Sequence, residues 1–111
     1  MSNKYILKGH KPVLCNDLMK WAEWYEKADR RVAKTTLSNG VEISTVFLGL
    51  DHSFSNKSKP VLFETMIFGG KLDQGMERYS SWKSAENGHK QWVGCVLEEE
   101  GTLVSIDAGQ G

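Results

Sequence analysis

Val41-Glu42-Ile43-Ser44-Thr45-Val46-Phe47-Leu48-Gly49-Leu50 and Pro60-Val61-Leu62-Phe63-Glu64-Thr65-Met66-Ile67-Phe68 are two apolar runs of strand length, bracketing the polar segment 51–59. Successive strand residues point to opposite faces, so Val41, Ile43, Thr45 and Phe47 share one side of the first run, and Val61, Phe63, Thr65 and Ile67 share one side of the second. Their other sides carry Val46, Leu48 and Leu50 in the first run and Leu62, Met66 and Phe68 in the second, so the first strand is expected to leave solvent and become buried on both faces and the second to be a central strand. Upstream, Ser38-Asn39-Gly40 joins the first run to Arg31–Leu37, and an Asn-Gly pair between apolar runs predicts a hairpin with positive φ angles in its turn.

Helices flank this block. Asn16 is the expected N-cap of an amphipathic helix running to about Asp29, in which Leu18, Trp21, Trp24, Tyr25 and Ala28 recur at helical spacing. Ser80 or Ser81 begins a second helix with Trp82, Ala85, His89, Trp92, Val93 and Val96 on one stripe; Gly88 and Gly94 each cost about 1 kcal/mol relative to Ala, and a kink is expected. Residues 4–7 form a short first strand ending at the Gly9–Pro12 turn, Gly69-Gly70 ends the strand at Phe68, and 102–106 add an edge strand. The expected fold is α+β, a two-layer sandwich in which an antiparallel sheet of about four strands carries both amphipathic helices, with their four tryptophans, on one face. Residues 1–111 read as one domain with 107–111 a frayed tail.

Composition narrows the function classes. A hydrophobic fraction of 40% with 25% charged residues is that of a folding chain rather than a disordered one. Fourteen Lys plus Arg balance fourteen Asp plus Glu, so no overall field favours a nucleic acid or an anionic membrane. No signal segment or bilayer-length apolar run is present, which points away from export and membranes. Cys15 and Cys95 stand 80 positions apart, outside any CxxC knuckle or dense disulfide framework, and read as reduced thiols.

The residues able to do chemistry are Asp51 and His52 at a strand end, Glu64 inside the second run and His89 on the second helix. They match no zincin, EF-hand or deaminase spacing, and neither a metal nor a cofactor is expected. Asp51 reads as an acceptor for backbone N–H groups in its own turn. Glu64, among apolar alternation partners, is expected to meet an Arg, a Lys or a His in an internal ion pair, with Arg30, Arg31 and Arg78 as the available guanidinium groups. Gly69-Gly70 lacks the surrounding residues of a phosphate loop and reads as a turn. Arg30, Arg31, His52, Glu64, Arg78, Tyr79 and His89 are the supply of polar anchors for a bound ligand.

The segments LMKWAEWYEKADRRVAKT (18–35), STVFLGLDHSF (44–54), PVLFETMIFGG (60–70) and MERYSSWKSAENGHKQWV (76–93) together resemble a widespread group of small proteins encoded by tailed bacteriophages. The resemblance implies residence in the cytoplasm of a host bacterium and work in host takeover. The leading expectation is a non-enzymatic binding protein that counters host defence by sequestering a nucleotide-like signal or inhibiting a host protein, with homo-oligomers as a way to build the site. One alternative is a small hydrolase or nucleotide-processing enzyme using Asp51, His52, Glu64 and His89, which must then converge. The other is a virion or assembly component.

Overall fold

The computed structural model describes residues 3–54 and 59–107. Its elements are β1 (Tyr5–Lys8), β2 (Lys11–Leu14), α1 (Leu18–Lys27), β3 (Arg31–Thr36), β4 (Glu42–Phe47), β5 (Phe63–Phe68), β6 (Met76–Tyr79) and α2 (Trp82–Glu100). The fold is α+β. β1 and β2 pair as a two-stranded hairpin, and β3-β4-β5-β6 form an antiparallel meander in sequence order.

The two deciding runs become the central strands β4 and β5, paired so that Thr45 faces Thr65 and Phe47 faces Phe63. Burial alternates strictly along β4, with Ile43, Thr45 and Phe47 enclosed and Glu42, Ser44 and Val46 partly open. Burial on both faces is therefore corrected: α2 packs across all four strands on one side only. The apolar outward residues Val46 and Met66 stay half-exposed, and Phe68 and Met76 are exposed.

The hairpin turn also has a different shape from the one expected. Leu37 and Val41 close a three-residue loop through a 2.8 Å backbone bond, and Gly40 alone takes positive φ, at 92°. This is the turn followed by a left-handed glycine that three-residue hairpins favour. Asn39 instead uses its side-chain oxygen to accept from the Val41 N–H at 3.2 Å.

Several elements depart from the sequence reading. The Gly9–Pro12 turn is shorter than expected, and Lys11–Leu14 returns as β2, a strand whose proline and charge had disguised it. The α1 cap is Asp17, whose carboxylate accepts from the Lys20 N–H at 3.1 Å; Asn16 instead accepts from the Lys4 N–H at 2.8 Å. The segment before Ser80 contains β6, an edge strand too short and too polar to show alternation. Residues 102–106 make one bridge, Ile106 to Leu37, rather than a strand, and Asp107, expected to fray, donates its N–H to Thr36 at 2.9 Å. The remaining tail residues, 108–111, lie outside the described residues.

Helix α2 starts at Ser81, whose hydroxyl accepts from the Ser84 N–H, and runs as one helix through Gly88 and Gly94 to Gly101. Its length spans two apolar clusters. Near its start, Ala85 joins Phe47, Leu62 and Phe63, flanked by Tyr5, Leu7, Trp24 and Trp82; near its end, Val96 joins Leu37, Val41, Ile43 and Ile67, flanked by Leu97 and Val104. Helix α1 packs on β1, and its Trp24 meets Phe47 edge-on at 5.8 Å between centroids.

Candidate functional site

Between the two apolar clusters lies a buried polar row. Thr45 replaces an apolar residue between Ile43 and Phe47, and Thr65 does the same between Phe63 and Ile67; cross-strand pairing puts their hydroxyls 2.5 Å apart. His89 descends on them from α2, with Nδ1 2.7 Å from Thr45 Oγ1 and Nε2 2.9 Å from Thr35 Oγ1. On the other side Tyr79 Oη lies 3.2 Å from Thr65 Oγ1 and 3.1 Å from Glu77 Oε1, which also accepts the Trp92 indole N–H at 3.0 Å.

Donor counting orients this row. An ionised carboxylate only accepts, and a phenol has a single proton, so the charge-assisted bond takes it and Tyr79 donates to Glu77. The Thr65 hydroxyl then donates to Tyr79, and Thr45 to Thr65. His89 must supply Thr45 from Nδ1–H, which leaves Nε2 to accept from Thr35. The arrangement is a one-way hydrogen-bond chain from Thr35 on β3 to Glu77 on β6, with His89 held as the neutral Nδ1–H tautomer. Burial lowers the His89 pKa below its ordinary 6.5, since nothing in the row compensates an imidazolium. Burial raises the Tyr79 pKa above 10.0, reinforced by the Glu77 carboxylate. The chain is satisfied internally, so its first role is to fix helix to sheet. Its exposed end is Glu77, which with Gln91, Trp92 and Cys95 lines a hollow of about 210 Å³.

The other expected site residues are dispersed. Glu64 finds its cation in Arg78, with Nε to Oε2 at 2.9 Å, as an ion pair on the open side of the sheet. That side is opposite to Thr65 and hence to His89. Arg30 lies 4.0 Å over the Tyr25 ring and donates to the Phe47 carbonyl at 3.1 Å. Arg31 is exposed at the start of β3. At the rim, Asp51 Oδ1 accepts the backbone N–H groups of Ser53 and Val61, both at 2.9 Å. Burial works to raise the Asp51 pKa, but those backbone donors, the Ser53 hydroxyl and the His52 charge together hold it below 3.8. His52 Nδ1 is 2.8 Å from the Leu50 carbonyl oxygen. The quartet Asp51, His52, Glu64 and His89 is thus split between a rim, an open face and a buried face. No group of three His, Cys, Asp or Glu able to hold a metal ion occurs among the described residues.

The Gly69-Gly70 turn is confirmed as a strand end, and its surroundings are acidic: Glu100 accepts from the Lys71 N–H and from Asn39 Nδ2, both at 2.9 Å, tying two loops to the end of α2. Cys15 and Cys95 are both free thiols, and Cys95 is exposed. Trp82 stacks under His10 at 3.7 Å and nearly parallel, 4° between planes, while its own buried indole N–H has no partner among the described residues. No described helix is long and apolar enough to cross a membrane.

No protein-family model, curated protein or solved structure matches this chain.

Thr35, Thr45, Thr65, Glu77 and Trp92 are the site residues that sequence reading passed over. The available signal was a threonine at the same inward offset in two adjacent apolar strands, since a hydroxyl there needs a buried partner.

Proposed function

We propose that this chain is a non-enzymatic binding protein that engages a host protein, in line with its resemblance to tailed-phage proteins and with work against host defence in the bacterial cytoplasm. The observation that carries the reading is the state of its ionisable groups: Glu64 and Arg78 neutralise each other, Arg30 is engaged by Tyr25 and Phe47, and His89 is closed inside the polar row. Acid-base chemistry needs a convergent, accessible set, and these residues point to separate places. Phosphate capture needs free guanidinium or ammonium groups at a common hollow. One groove with cationic lining holds Lys20 and Lys27, and Lys27 is 3.8 Å from Glu23.

A protein partner is favoured by a broad surface. The reading takes the architecture as a two-layer sandwich whose helices share one face, leaving the other for contact through Met66, Phe68 and Met76 beside the Glu64–Arg78 pair.

The test is native mass spectrometry of the tagged chain isolated from phage-infected and uninfected bacteria, repeated with Met66→Glu plus Phe68→Glu. A bacterial protein retained by the unaltered chain and lost from the variant supports the proposal. A retained nucleotide overturns it in favour of sequestration, and a bare chain in both preparations counts against tight binding of either kind.

A further inference from the structure

The chain is neutral overall yet polarised along its length. From residue 3 to residue 22 the hairpin and the first turn of α1 carry Lys4, Lys8, Lys11 and Lys20 against Asp17 alone. From residue 91 to residue 107 the acids Glu98, Glu99, Glu100 and Asp107 meet no Lys, Arg or His. The hairpin packs with the start of α2, and the acidic segment forms its end, so a 19-residue helix separates the two charge patches in a molecule 48 Å in its longest dimension.

Each patch surrounds unburied apolar surface. The acidic end holds a groove of about 600 Å³ lined by Leu97, Val104 and Ile106 with Glu98 on its rim, and Leu103 beside it is 98% exposed. The basic end presents Leu14, Leu18 and Met19, the last 77% exposed on an unbranched side chain suited to filling an irregular groove. Three consecutive carboxylates at the negative end of a helix oppose its dipole, and no basic residue in the last turn relieves them. Of these three, only Glu100 has donors among the described residues, from Lys71 and Asn39, which leaves Glu98 at the rim of the groove, with exposed Glu99 next to it in the chain, for a cationic partner.

We infer that the basic, apolar end of one copy docks into the acidic groove of the next, a head-to-tail association between copies of this chain. Two different patches meet in such an interface, so it propagates into a ring or an open filament rather than stopping at a dimer. A net charge of zero leaves no global repulsion against it. The inference stands on surfaces separate from the open sheet face and is independent of the host partner.

Sedimentation velocity of the full chain over a range of concentration and salt tests it, using Glu98→Lys plus Glu99→Lys as one variant and Lys4→Glu plus Lys20→Glu as the other, each checked for its fold by circular dichroism. The unaltered chain is expected to form species larger than dimers that dissociate as salt rises, and each variant alone to associate about tenfold or more weakly. Mixing the two variants should then give a complex, because each retains one intact patch and the reversed patches also attract. A monomer at every concentration overturns the inference. So does self-association in which the lysine variant behaves like the unaltered chain, since that marks a symmetric contact that does not use the basic end.

Discussion

The ring of Tyr79 occupies the space over Gly88 that any side chain at position 88 would need, with its hydroxyl and ring edge pressed against the helix backbone. This close approach is what lets the phenol reach both Thr65 and Glu77 while α2 passes overhead. It also explains why a helix tolerates a glycine in its buried stripe, where helix propensity alone disfavours it.

Two alanine substitutions on the same helix should therefore have opposite signs. Gly94 is exposed with open space around it, so Gly94→Ala should stabilise by about 0.5–1 kcal/mol through helix propensity. Gly88→Ala gains the same propensity but must displace Tyr79, and overpacking of this kind costs about 1–3 kcal/mol, leaving a net loss. Urea unfolding of both variants checks the pair; a stabilised Gly88→Ala would show that Tyr79 moves aside without cost.

The buried imidazole makes stability depend on pH. The folded-state pKa of His89 is lowered from 6.5, so the unfolded chain binds the proton more readily, and stability falls as pH drops below about 6.5 until the folded-state pKa is reached. His89→Asn should flatten this fall at the expense of overall stability. Nitrogen-15 shifts should show His89 as the Nδ1–H tautomer at pH 7.5. Finding Nε2–H instead would reverse the hydrogen bonds between Thr35 and Thr65, with Glu77 still accepting from Tyr79.

Asp51 staples the rim. Its carboxylate serves the N–H groups of Ser53 and Val61, so Asp51→Ala should cost about 1–3 kcal/mol, because two partly buried backbone donors lose their acceptor. With a folded-state pKa below 3.8, its contribution is complete above the unfolded pKa and is lost as pH falls through the folded one. Hydrogen exchange at the Val61 amide reports this directly: faster exchange in the variant at neutral pH is expected, and unchanged exchange would show that Val61 is held by the pairing of His52 with its carbonyl alone.

The central elements were legible because their signals are local. Alternation of Ile43 with Phe47 and of Phe63 with Ile67 marks two strands, Asn39-Gly40 marks their hairpin neighbour, and Ser81 with the stripe from Trp82 to Val96 marks a helix. β2 and β6 escaped because four-residue strands with a proline or with two charged residues carry too little periodicity to read. Of the site residues, the need of Glu64 for an arginine followed from alternation, but the choice of Arg78 over Arg30 and Arg31 came from the β5–β6 register, which pairs positions 64 and 78.

By itself the sequence determined the α+β class, the two central strands, both helices and the fact that Glu64 needs a cation, because each depends on short-range periodicity, capping or the energetic cost of an unpaired charge. Only the tertiary structure decided that α2 covers one face of the sheet and leaves the other open, and that His89 meets Thr45 and Thr35 instead of Asp51 and Glu64. Those outcomes rest on strand register and on the path of a helix across a sheet, which are fixed by packing between residues dozens of positions apart.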